Sequence, residues 1–249
     1  MSRDASLPSQ PPARRPVFAW LAALFVASAL TLGFGWLAEE MAEGDTMAFD
    51  RHVLLMFRQP GDPSHLLGPA WLPETVRDLT SLGSTVILGL VLLLVVGYLA
   101  MARRKRAFLL VLVAVTGGQA LSTILKLIFD RPRPTLVPNA PEVFTTSFPS
   151  GHAMLSAVTY LTLAALLARI EPRRMIRHYF MAAGVLVSLL VGMSRLALGV
   201  HWPTDVLAGW CVGAAWATLC AAAADWLARR GKIEMGVSLD DQSHGDQER

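Results

Sequence analysis

The chain has 249 residues, 53% of them hydrophobic and only 16% charged. Soluble domains carry about a quarter charged residues, so this composition argues against a soluble globular protein and for a membrane protein. The formal charge of +3 does not imply a nucleic-acid partner. The basic residues sit at the ends of apolar stretches, where they act as topology determinants and can touch anionic headgroups.

In chain order, residues 1–13 are rich in Pro and Ser and read as a disordered N-terminus. Six apolar stretches follow, near 17–38, 82–101, 107–128, 153–170, 178–199 and 206–228. Each is of spanning length, since about 20 residues cross a hydrocarbon core of about 30 Å. In lipid every backbone polar group needs an internal partner, so the stretches should be helices. The expected fold is all-α: a polytopic membrane protein with one six-transmembrane-helix bundle over 14–232. Residues 233–249 read as a disordered tail. The first stretch exceeds the h-region of a signal peptide, which is about 7–15 residues, and reads as an uncleaved anchor.

Basic residues set the orientation. Arg14 and Arg15 precede the first stretch, Arg103–Arg106 join the second and third, Arg173, Arg174 and Arg177 join the fourth and fifth, and Arg229, Arg230 and Lys232 follow the sixth. With six alternating helices all of these share one side, which the positive-inside rule assigns to the cytoplasm. Both termini are then cytoplasmic, and the protein belongs in the cell's inner (plasma) membrane. The 39–78 connection faces outward. Within it, 49–58 is apolar with charged edges and suits a short interfacial helix, and Trp71 suits an interfacial anchor. Cys211 and Cys220 lie nine residues apart on one stretch, about 13 Å of helical rise, too far for a disulfide.

Three polar clusters interrupt this frame, all on the outward side. Lys126 lies near the end of the third stretch, seven residues before Arg133-Pro134. Pro132 and Pro134 end the helix and extend the backbone, so Lys126 and Arg133 can turn toward one spot. Arginine offers a planar fork to phosphate oxygens and lysine a point charge. Taken alone, Lys126 would be a snorkelling cation. The second cluster is Pro149-Ser150-Gly151-His152. Ser150 reads as an N-cap, Gly151 permits close backbone approach, and the helix start is an anion site beside His152.

Ser194-Arg195 and His201-Trp202-Pro203-Thr204-Asp205 form the third cluster. Pro203 suits a first helical turn. Asp205, four residues after His201, can accept a hydrogen bond from one ring nitrogen and aim the other, the base–orienter logic of catalytic triads. Taken alone, Asp205 would be a charge favoured by the helix dipole. Trp202 reads as an interfacial aromatic, and His52, His65, His178 and His244 as surface or interfacial residues. Together the clusters supply three cations, two imidazoles and an orienting carboxylate. That set can bind and attack a phosphoryl group with no metal or cofactor. The residues alone leave open which imidazole attacks.

The order and spacing, K-x6-R-P, then P-S-G-H, then S-R-x5-H-x3-D, resemble the signature of the type 2 phosphatidic acid phosphatase family. The resemblance runs from Lys126 to Asp205. It implies that His201 attacks phosphorus to form a phosphohistidine, that Asp205 orients it, and that His152 protonates the leaving oxygen. It implies that Lys126, Arg133, Ser150, Gly151 and Arg195 bind the phosphate oxygens. It selects Arg133 and leaves Arg131 as a surface or headgroup contact. The expected partners are a phosphorylated membrane lipid and the bilayer. Phosphatidic acid, phosphatidylglycerol phosphate, undecaprenyl pyrophosphate and lipid A all suit such a pocket. The alternatives are a phosphotransferase on envelope lipids, a soluble vanadium haloperoxidase, which the six spans oppose, and a non-enzymatic six-helix transporter, which would not require the histidines and Asp205.

Overall fold

The computed structural model describes residues 17–138 and 145–229. The expected disordered tails, and the basic residues Arg14, Arg15, Arg230 and Lys232, lie outside the described residues. Among the described residues, eight helices and one short hairpin appear in the order α1 (Val17–Glu43), α2 (Met47–Leu55), β1 (Arg58–Gln59), β2 (Asp62–Leu66), α3 (Leu72–Ser81), α4 (Thr85–Met101), α5 (Lys105–Ile128), α6 (Gly151–Ile170), α7 (Arg174–Ala197) and α8 (Pro203–Arg229). Five of the helices, α1, α5, α6, α7 and α8, are long and apolar enough to span a bilayer.

The sixth span is composite. The 17 residues of α4 rise about 26 Å, short of a hydrocarbon core of about 30 Å. Helix α3 extends it across a 45° bend. Ser84 causes the break: its backbone is extended and its hydroxyl accepts from the Ile87 N–H, so it caps α4 rather than continuing α3. Lipid-facing positions such as Phe25, Leu32, Val86, Leu93 and Met175 are exposed. That apolar exterior fits a multi-pass membrane protein, whose solvent on that surface is hydrocarbon.

Helix α6 is the centre of the bundle, packed on α7, α8 and α5, while α1 packs along α8. Close approach of α8 to α6 depends on Gly209 and Gly213. A Cβ on Gly209 would meet the Ser150 carbonyl oxygen at 2.7 Å and Ala153 Cβ at 3.1 Å, and one on Gly213 would meet Ala157 Cβ at 2.9 Å. Small residues at such crossings let helix backbones meet in lipid. The contact brings the start of α8 beside the start of α6, where the Ser150 N–H donates to the Asp205 carbonyl at 2.9 Å.

Helix alternation does the remaining work. The end of α5, the start of α6, the end of α7 and the start of α8 all lie at one end of the bundle, and these are the positions of the three polar clusters. The 39–78 connection crosses that same end. The expected interfacial helix is α2, but the segment is not a simple surface strap. Its strand pair was not anticipated, and Asp50 and Arg58 reach buried positions from it.

Candidate active site

Each cluster is placed by a local feature of its helix. Helix α7 ends in a Schellman turn: the Gly199 N–H donates to Leu196 O and the Val200 N–H to Arg195 O. Gly199 sits at φ +72°, the left-handed conformation this motif requires and glycine adopts without strain. The turn reverses the chain within four residues, so Arg195 and His201 face a common space. Arg58 reinforces it by donating to Ala197 O at 2.6 Å. On the other side, Phe148 is fully buried and packs between Phe34 and Phe129, with ring centroids 5.8 and 5.2 Å away. This anchors the segment that leads into Ser150 and α6.

Lys126, Arg133, Gly151, His152, Arg195 and His201 line one pocket of about 430 Å³. Six of the eight residues expected at the site thus converge on one space from positions up to 75 residues apart. Asp205 and Ser150 are fully buried and stand outside the lining. For Asp205 this is the expected arrangement, since it reaches the pocket through His201.

His201 is almost fully buried. Its Nδ1 lies 3.3 Å from Asp205 Oδ2 and its Nε2 3.0 Å from an Arg133 guanidinium nitrogen. Arginine can only donate, so Nε2 is the acceptor and the proton sits on Nδ1, directed at the carboxylate. Burial pushes the imidazole down to about 3, against the pull of Asp205, and the charges of Arg133 and Arg195 push the same way. The ring is therefore neutral near pH 7, with a lone pair on Nε2. The His201–Asp205 contact is a hydrogen bond rather than an ion pair.

Backbone carbonyls hold two of the three cations. Lys126 Nζ donates to Thr146 O at 2.6 Å. Arg133 donates to Thr145 O at 2.8 Å and Val200 O at 2.7 Å. Arg195 donates to Thr80 Oγ1 of α3 at 2.9 Å, while its Nε has no hydrogen-bond partner among the described residues. Ser150 occupies the N-cap position of α6, but its hydroxyl makes no capping bond. That Oγ is also buried without a partner among the described residues. The cap expectation therefore holds for the backbone and not for the side chain.

Two sequence expectations are overturned. Arg131 is not a surface or headgroup contact. It is buried and makes ion pairs with Asp205 at 2.6 Å and Asp50 at 2.7 Å. Trp202 is not interfacial: it is buried, donates from Nε1 to Pro132 O at 3.1 Å, and carries the Arg131 guanidinium over its ring at 5.6 Å. Asp205 also accepts from the Trp202 N–H at 2.8 Å and from the Ser147 hydroxyl. Its carboxylate is surrounded by donors on every side.

A second pocket of about 210 Å³ adjoins the first, sharing Thr85, Gln119 and Leu155. Its further lining, Leu88, Gly89, Leu92, Val115 and Thr116, belongs to α4 and α5. A chamber lined by three cations thus continues into a largely apolar groove between two membrane-spanning helices.

The PAP2 superfamily profile matches residues 107–229, which hold all three clusters. The chain is 35% identical over 151 residues to phosphatidylglycerophosphatase B of Bacillus subtilis, covering 59% of this chain and 73% of that one. This chain belongs to the PAP2 superfamily. It is also 32% identical over 143 residues to a decaprenylphosphoryl-5-phosphoribose phosphatase of Mycobacterium tuberculosis, covering 56% of this chain and 73% of that relative. The crystal structure of a transmembrane PAP2-type phosphatidylglycerolphosphate phosphatase from Bacillus subtilis superposes with a TM-score of 0.71 at 27% identity, covering 82% of this chain and 98% of that one. The family expected from the three motifs and the helical membrane fold are both borne out.

Proposed function

We propose that this PAP2 protein is a metal-independent membrane lipid phosphatase. It hydrolyses a phosphate monoester or pyrophosphate headgroup through a phosphohistidine on His201. The observation that carries this reading is the placement of His201: its Nδ1 on Asp205, its Nε2 beside Arg133, in the pocket shared by Lys126, Arg133 and Arg195. Relatives named as phosphatases of phosphorylated lipids support it.

The headgroup phosphate is held by Lys126, Arg133 and Arg195, with the Gly151 N–H at the start of α6, while the Ser150 hydroxyl, expected to join them, lies buried behind that turn and outside the lining. His201 Nε2 attacks phosphorus and the P–O bond to the lipid breaks. His152, charged only when the anionic headgroup fills the pocket and offsets the cations around it, gives its proton to the departing oxygen. Water then attacks the phosphohistidine, His152 takes the proton from that water, the P–N bond breaks and inorganic phosphate leaves. Asp205 keeps the Nδ1 proton in place throughout and balances the charge that the phosphorylated ring carries. The hydrocarbon end of the substrate fits the apolar groove between α4 and α5.

The reading is tested by phosphate release in detergent from phosphatidic acid, phosphatidylglycerol phosphate and undecaprenyl pyrophosphate. Release from at least one is expected; release from none of them, in folded protein, would refute it. Three side-chain cations offset the transferring charge, so EDTA leaves the rate unchanged. Vanadate inhibits, since it adopts the five-coordinate geometry of a phosphoryl group in transfer. Activity lost in EDTA and restored by magnesium counts against the mechanism.

Sidedness follows from charge. Arg103–Arg106 lie at the bundle end opposite the three clusters, and the positive-inside rule places that end in the cytoplasm. Headgroups are then hydrolysed on the periplasmic or extracytoplasmic face of the inner membrane. Pro138 and Ala102 are both exposed, at opposite ends. With Cys211 and Cys220 replaced by Ser, a cysteine at 138 is labelled in intact cells by a membrane-impermeant thiol reagent. One at 102 is labelled only after permeabilisation. The reverse pattern puts the site in the cytoplasm.

A further inference from the structure

We infer that Asp50, from the outward connection between the first two spans, is a positioning residue that acts through Arg131 on Asp205 and His201. Asp50 is fully buried on α2, 155 residues before Asp205. Its Oδ2 accepts from Arg131 at 2.7 Å, and the other arm of that guanidinium donates to Asp205 Oδ1 at 2.6 Å. Asp50 also grips the turn that carries Asp205: Oδ1 accepts from the Thr204 N–H at 2.9 Å and Oδ2 from the Thr204 hydroxyl at 2.7 Å. Arg131 donates to that hydroxyl as well, at 2.8 Å. The chain of contacts is therefore Asp50–Arg131–Asp205–His201, closed on itself through Thr204.

Two consequences follow. The first is geometric. Arg131 takes Asp205 Oδ1, which leaves Oδ2 turned to His201, and Asp50 prevents the guanidinium from swinging away. Burying two carboxylates and a guanidinium carries a desolvation penalty that an apolar cluster of similar volume would avoid; what the trio supplies is orientation. The second is electrostatic. The trio sums to one negative charge behind His201, facing the three cations of the pocket. Without the Asp50 charge, Arg131 cancels Asp205, and the ring has no net counter-charge when it takes on positive charge at phosphorylation. Binding of phosphate oxygens by Lys126 and Arg195 does not pass through Asp50.

The inference rests on His201 being the attacking group, and the test separates the two. Asp50→Asn removes the charge and keeps one acceptor oxygen; with that oxygen on the Thr204 N–H, the amide NH2 replaces the acceptor that Arg131 and the Thr204 hydroxyl use. Its kcat on a lipid phosphate in detergent is expected to fall about 10–100-fold, the range for outer partners that orient a functional imidazole. KM and inhibition by inorganic phosphate stay near wild type. In the double variant Asp50→Asn/Arg131→Gln, kcat falls no further than in Arg131→Gln alone. A purely structural role would instead move KM, phosphate inhibition and kcat together, and that outcome overturns the inference. So does wild-type kcat in Asp50→Asn. If Asp50→Asn does not fold, Arg131→Lys carries the test: a lysine cannot bridge both carboxylates as the fork does, and wild-type kcat there is equally fatal. Turnover in His201→Ala would refute the nucleophile; wild-type turnover in Asp50→Asn, with His201→Ala inactive, would refute only the positioning role.

Discussion

Replacing His201 with Ala is expected to abolish phosphate release. The attacking atom of the proposed mechanism is lost, and Lys126, another nitrogen in the pocket, donates to Thr146 O. Asp205→Asn is the sharper form of the same test. The carboxylate accepts from the Arg131 guanidinium, the His201 ring, the Trp202 N–H and the Ser147 hydroxyl. An amide has one acceptor oxygen, so its NH2 must face at least one donor. If it faces His201, the ring moves its proton to Nε2 and the lone pair at phosphorus disappears. The comparable change in a serine-protease triad costs about 10⁴ in kcat, and a loss of about 10²–10⁴-fold is expected here. The measurement is steady-state phosphate release by purified protein, with the thermal midpoint recorded alongside so that unfolded material is not scored as slow enzyme. Substantial turnover by His201→Ala would remove the phosphohistidine from the mechanism.

That test targets residues that sequence alone made visible. Lys126, Gly151, His152, Arg195 and His201 were legible because each sits within one turn of a helix end, and Arg133 because Pro132 and Pro134 extend the chain just past α5, so spacing along the chain fixes position in space. Alternating spans then bring those ends together. Asp205 was legible for the same reason, since i to i+4 on a helix start is a local relation. Asp50 and Arg131 were not. Their pairing joins segments 81 residues apart, and a charged residue near a span end has a ready local explanation as an interfacial contact. Trp202 was misread on the same logic: an aromatic beside a span end suggests the membrane interface, but the crossing of the 131–134 segment buries it. The signal that could have raised doubt is Asp50 itself, the single acid in the segment 49–58, at the start of a helix whose middle is apolar. The α3–α4 bend was illegible for a different reason. Hydropathy marks the apolar stretch, whereas the break depends on Ser84 choosing to cap.

His152 is expected to show its role through the leaving group. As proton donor it matters in proportion to how badly the departing oxygen needs a proton. A lipid alkoxide is strongly basic and cannot leave unprotonated, so His152→Gln should lower kcat on a lipid monoester by about 10²–10⁴-fold, the usual worth of general acid catalysis. Nitrophenolate is a weak base and departs as an anion, so the same variant should lose far less on p-nitrophenyl phosphate. Glutamine keeps hydrogen-bonding capacity and similar bulk at the start of α6, and His152 is only part-buried, so the bundle should hold. The ratio of the two losses is the informative quantity, because it cancels errors in active-enzyme concentration. A general defect in phosphate binding would depress both substrates equally, as Arg195→Ala is expected to do through loss of a cation that contacts the phosphate itself. Equal loss on both substrates in His152→Gln would move His152 from proton transfer to phosphate binding. It would also leave the pocket without an assigned acid, since the proposed mechanism gives the second imidazole, bonded to Asp205, the role of nucleophile.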